Sequence, residues 1–111
     1  MSPQEIIEKM MADDQMSQWL GISILNYTPG AVSLQMTIRD EMVNGFGVAH
    51  GGISYSFADS ALAFSANSRG IRSMSIETSI SHQKMIKVDD VLTVHSKELS
   101  LSRKIGVYAM E

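Results

Sequence analysis

The chain has 111 residues, and its 9 basic and 12 acidic side chains give a formal net charge of −3. That length fits one domain, and the charge balance lacks the basic footprint of a nucleic-acid binder. With no cysteine there are no disulfides, thiolate nucleophiles or cysteine metal sites. No uncharged apolar run approaches the ~20 residues that span a bilayer, and Glu5, Glu8 and Lys9 interrupt any apolar leader core at the start. These features set the expectation of a cytoplasmic protein with neither nucleic acid nor membrane as partner. A domain this small covers its apolar surface incompletely, so an oligomer is expected.

Ser2, Pro3 and Glu5 form the pattern of a capped helix start. Ile6, Ile7, Met10 and Met11 then recur on one helical face. A short turn over 17–20 stops at Gly21, with Trp19 and Leu20 expected to tuck inward. Residues 22–28 and 31–38 read as two strands joined by the turn pair Pro29-Gly30. Val32, Leu34, Met36 and Ile38 alternate on the face expected to be buried. The loop Asn44-Gly45-Phe46-Gly47 leads to a long helix over 51–68, closed by Arg69 and Gly70. Beyond it the period returns to two. Met74, Ile76, Thr78 and Ile80 mark a third strand, 84–90 is a charged connection, 91–101 a fourth strand, and 106–110 a fifth. Helix, two strands, long helix and three strands predict an α+β fold with a mainly antiparallel sheet.

The long helix is anomalous. Its eighteen residues hold one charged side chain, Asp59, among glycine, alanine, serine and apolar groups. A helix without charges on any face is expected to be buried nearly all round, and an unpaired carboxylate there is costly. Two readings stay open: Asp59 anchors hydroxyls such as Ser56 or Ser60, or it is a catalytic base or nucleophile. His50-Gly51-Gly52 begins the helix, where free N–H groups and the dipole favour negative charge. Such a start can hold a carbonyl oxygen as it becomes an oxyanion, or it merely permits a tight turn into the helix. Eight residues separate Gly51 from Asp59, ~12 Å at ~1.5 Å per residue. One carbonyl cannot touch both in the same chain. If both act on it, Asp59 comes from a second copy and the site lies at a dimer interface.

Asn44, His50-Gly51-Gly52, Phe57-Ala58-Asp59-Ser60-Ala61, Ala66-Asn67-Ser68-Arg69-Gly70 and Gly106-Val107-Tyr108 resemble the hot-dog-fold acyl-CoA thioesterases, most of all the phenylacetic acid degradation subgroup. The resemblance implies a central helix wrapped by an antiparallel sheet of five or six strands. It also implies edge-to-edge dimers assembled into homotetramers, a single domain over 1–111 lacking a last strand that relatives possess, and no metal or redox cofactor. Catalytic roles fall on Gly51 N–H as oxyanion donor and on Asp59 of the other subunit, with Asn44 and His50 contacting the thioester or ordering the loop. Gly52, Ser75, Lys84 and Arg103 are the expected substrate contacts, with Lys87 and Lys104 as further candidates for coenzyme A phosphates. The implied substrates are aryl thioesters such as phenylacetyl-CoA derivatives, and short acyl chains.

This chain departs from that pattern after the third strand. It has His82 where relatives have an aromatic residue, Lys84-Met85 in place of Arg-Pro, and Asp89-Asp90 in place of Gly-Asp. The alternatives are a non-catalytic hot-dog module that binds acyl-CoA or dimerises, and a hot-dog hydratase. No Gly-x-Ser-x-Gly supports a serine triad, no lysine follows Gly45-Phe46-Gly47 as in a nucleotide loop, and His50, His82 and His95 lack metal spacing.

Overall fold

In the computed structural model, which describes residues 1–111, the capping box closes as the sequence predicts. Ser2 Oγ accepts from Glu5 N–H, and the Glu5 carboxylate accepts from Ser2 N–H. Helix α1 (Pro3–Asp13) follows, with Ile7 buried, and Asp14 then caps the short α2 (Gln15–Leu20). Gly21 ends α2 at φ +75°, a left-handed position that suits glycine. Leu20 is buried, but Trp19 is 45% exposed. The expectation that Trp19 tucks inward is corrected: the Arg39 guanidinium lies 5.0 Å from its ring centroid and gives the ring a partner at the surface.

Strands β1 (Ser23–Thr28) and β2 (Ala31–Thr37) form an antiparallel hairpin about Gly30, with Val32, Leu34 and Met36 directed inward. Helix α3 (Gly51–Asn67) crosses to β3 (Val91–Leu101), which pairs with β2 (Leu34 opposite Val94), and β4 (Gly106–Met110) pairs with β3. The sheet is antiparallel throughout, in the order β1-β2-β3-β4. Ile53, Phe57, Ala61 and Phe64 of α3 meet Val32, Leu34, Met36, Ile38 and Val94 in one core that Ile7, Leu20 and Met42 complete. Removing these side chains from water is the main stabilising contribution, at about 25 cal/mol per Å² of apolar surface.

Two expectations need correction. Residues 74–81 alternate like a strand but form none, and the sheet has four strands rather than five or six. Alternation supplies a face, whereas a strand also needs a neighbour's N–H and C=O groups. Here the segment runs along α3 in the opposite direction. Ser73 N–H donates to Asn67 Oδ1, the Tyr55 hydroxyl meets that of Thr78, and His82 Nδ1 lies 3.3 Å from Ser54 Oγ. Helix α3 is also not buried all round. One stripe faces the core, while Gly52, Tyr55, Ser56, Asp59 and Ala63 line an open groove. A single chain has only one sheet to lay against the helix, so its other face stays uncovered.

Candidate functional site

His50 caps α3, its Nδ1 accepting from Gly52 N–H at 2.9 Å. The proton on that ring is thereby assigned to Nε2, and the Gly52 N–H is occupied. Gly52 therefore does not offer the substrate a free backbone donor, although it remains on the groove wall. Ile53 N–H returns to the His50 carbonyl, whereas Gly51 N–H has no acceptor within the chain and Gly51 is exposed. Of the two adjacent glycines, Gly51 is thus the one whose N–H is free at the positive end of the helix. The loop before it is held by Asn44, whose Oδ1 accepts from Phe46 N–H at 2.9 Å and from Val48 N–H at 3.4 Å. Asn44 orders the loop that delivers His50 and Gly51.

Asp59 is exposed and makes no hydrogen bond within the chain. It does not anchor Ser56 or Ser60. Ser60 is buried and pairs instead with Ser17 at 2.7 Å, while Ser17 donates to the Asp14 carboxylate. The groove beside Asp59 has a volume of about 430 Å³ and is lined by Asp14 and Met16 from the α1–α2 junction together with the α3 residues. The sequence reading missed Asp14, Met16, Tyr55 and Ser56 as groove residues. For the α3 members a signal was present, since 52, 55, 56, 59 and 63 recur at the three- and four-residue steps of one helical face. Asp14 and Met16 arrive only through tertiary packing.

Of the remaining expected contacts, Ser75 is exposed on the extended segment, and Lys84 lies two residues beyond His82, near the start of α3. Lys87 uses its backbone N–H on Asp90 Oδ2. Arg103 and Lys104 sit on the exposed β3–β4 turn. That turn is at the end of the sheet where Arg69, just past α3, forms a two-pronged pair with Glu98 at 2.8 and 3.0 Å. Within one chain, then, Arg103 does not join Lys84 at the Gly51 end. The Arg69–Glu98 pair also receives the Tyr108 hydroxyl. The Arg69 hydrogen bond holds the Glu98 carboxyl below its ordinary range, and burial followed by Glu98 pushes the Tyr108 phenol up. These groups tie α3, β3 and β4 together, away from Gly51.

A backbone donor without a partner at a helix start and a carboxylate without a partner farther along the same helix together suit acyl transfer. The family model for the thioesterase superfamily matches residues 46–111. Over 102 residues the chain is 30% identical to acyl-coenzyme A thioesterase PaaI of Escherichia coli, covering 92% of this chain and 73% of that protein. Over 99 residues it is 29% identical to acyl-coenzyme A thioesterase 13 of Homo sapiens, covering 85% of this chain and 71% of that protein. The solved structure of the E. coli PaaI protein from the phenylacetic acid degradation operon matches with a TM-score of 0.95 at 28% identity, over 97% of this chain and 78% of that one. The chain belongs to the thioesterase superfamily, and its long helix against an antiparallel sheet is the hot-dog fold.

Proposed function

We propose that this protein is an acyl-CoA thioesterase whose site is built by two copies of the chain. The reading rests most directly on the pairing of a free Gly51 N–H with an unpartnered Asp59 on one helix. Their separation of eight residues, ~12 Å along the axis, keeps them from one carbonyl unless Asp59 belongs to a second copy. In that arrangement Gly51 N–H stabilises the oxyanion, and the Asp59 carboxylate activates water or attacks the carbonyl. His50 and Asn44 fix the loop, and Lys84 offers a cation toward coenzyme A phosphates. The exposed apolar residues Met74 and Ile76 on the segment beside α3 give the second copy a surface to cover. Thioester hydrolysis needs a base and an oxyanion donor, so the reading includes no metal or redox cofactor. Aryl substrates of the phenylacetyl-CoA type, assembly into tetramers and a cytoplasmic location are finer parts of the same reading. No helix is long and apolar enough to cross a membrane.

The test is a thiol-release assay over a panel of acyl-CoA thioesters. The wild type is expected to turn over at least one, and Asp59→Ala to lose on the order of 10²-fold or more in kcat, the usual contribution of a positioned base, with mass and folding unchanged. A protein that holds acyl-CoA but releases no thiol is a binding module. Full turnover in the Asp59 variant removes that carboxylate from the mechanism.

A further inference from the structure

The groove beside Asp59 holds a second carboxylate. Ser17 Oγ meets Ser60 Oγ at 2.7 Å, which sets the start of α2 against α3 one residue from Asp59. Asp14, the N-cap of α2, is clamped to the same serine, accepting from Ser17 N–H at 2.9 Å and from the Ser17 hydroxyl. Both of its oxygens are thereby held, and the side chain stands half-buried in the groove wall. Neither acid is neutralised. The chain's ion pairs join Arg39 to Glu41 and Arg69 to Glu98, and no lysine or arginine lines the groove. The apolar part of the wall, Met16 and Ala63, gives an entering anion nothing in exchange for its water.

We propose that Asp14 is a specificity residue of the thioester site, turning away acyl groups that end in a carboxylate and leaving the groove to neutral ones. The role rests on the hydrolase reading above. There the carbonyl held by one copy's Gly51 lies against Asp59 of the other, so the acyl group runs into the groove that Asp59 borders and meets Asp14 within its first few carbons. Asp59 keeps the task of acting on water or on the carbonyl. Asp14 touches no reacting atom and selects by charge. A dicarboxylic monothioester brings a third negative charge to two fixed ones, in a cleft partly shut off from water where Coulomb repulsion exceeds its strength in bulk solvent. A neutral acyl group of equal length meets the same apolar surface without that repulsion. Selection then comes from a penalty against the wrong substrate rather than from added contacts with the right one.

The experiment compares kcat/KM for matched thioesters: butyryl- against succinyl-CoA, hexanoyl- against adipoyl-CoA, and phenylacetyl-CoA against its 4-carboxy derivative. The quantity read is the anionic-to-neutral ratio within each pair, which cancels losses common to both. The wild type is expected to favour the neutral member of each pair it hydrolyses by about tenfold or more. Asp14→Asn, which keeps an N-cap acceptor for Ser17 N–H, is expected to raise the ratio on the order of tenfold. Met16→Lys, which sets a cation in the groove and leaves the cap intact, is expected to raise it as well. Asp13→Asn removes the same charge from the exposed end of α1 and is expected to leave the ratio within twofold of wild type. A wild type that hydrolyses both members of a pair equally overturns the charge filter and leaves the thioesterase reading standing. So does an Asp14→Asn protein that melts like wild type and keeps its ratio within twofold. An equal rise in Asp13→Asn overturns the filter too, since net charge then explains the effect. Should Asp14→Asn melt early, Met16→Lys decides alone, and an unchanged ratio there overturns the proposal. A wild type that releases no thiol from any thioester overturns the filter and the hydrolase reading together.

Discussion

His50 and Gly51 show how one residue's hydrogen bond decides its neighbour's chemistry. The imidazole of His50 occupies the second glycine's N–H, and the first is left free. The family resemblance had singled out Gly51, and the His50 hydrogen bond gives the physical reason. Asp89 carries a different local cost. It takes φ +73° in the turn before β3, where the family resemblance leads one to expect glycine. A side chain in the left-handed region is strained by roughly 1–2 kcal/mol, less for aspartate than for most residues. Asp89→Gly relieves that strain but adds backbone entropy to the unfolded chain. The expected net result is a stabilisation of up to about 1 kcal/mol, read as a higher denaturant midpoint with an unchanged slope. A lower midpoint means the Asp89 side chain contributes more than its backbone costs.

At the scale of elements, α3 is held by different means at its two ends. The N-terminal end rests on His50, Ser54 and the Asn44 loop, all close to the site. The C-terminal end rests on Arg69, Glu98 and Tyr108, which join α3 to β3 and β4. Because the folded carboxyl of Glu98 is held low by the Arg69 hydrogen bond, the folded state binds a proton there less readily than the unfolded chain. This contribution to stability is present above the unfolded carboxylate range and is lost as pH falls through the folded value. Wild type is therefore expected to melt above Glu98→Gln at neutral pH, with the gap narrowing in acid. A gap constant with pH assigns the pair's effect to packing alone. The hairpin and the helix caps were legible in advance because each follows from local chemistry. Val32, Leu34 and Met36 face the core on a period of two, and Ser2 meets Glu5 across one helical turn.

At the scale of the whole molecule, one face of α3 has a sheet and the other has an open groove with the acid in it. Met74 and Ile76 stand 90% and 87% exposed on the segment alongside. If a second copy covers this side, an aspartate there buries an unpaired charge and disfavours the interface. Ile76→Asp is expected to shift the mass in light scattering from dimer or larger to monomer, and to abolish thiol release with it. A wild type that is already monomeric and active disproves the shared site. A monomeric variant that keeps its activity disproves the need for the second Asp59.

The pattern of the sequence by itself determined the helices, the β1–β2 and β3–β4 hairpins and the placing of a single charge, Asp59, on α3, because periodicity, caps and turn pairs act over a few neighbours. Tertiary structure alone decided the rest. It left 74–81 extended but unpaired, since a strand exists only where another backbone offers its hydrogen bonds. It set Ser17 against Ser60, brought Asp14 and Met16 to the groove, and laid His82 beside the start of α3 from 31 positions away in sequence. Those meetings depend on how the chain crosses over its own core, and no local periodicity encodes a distance between residues so far apart along it.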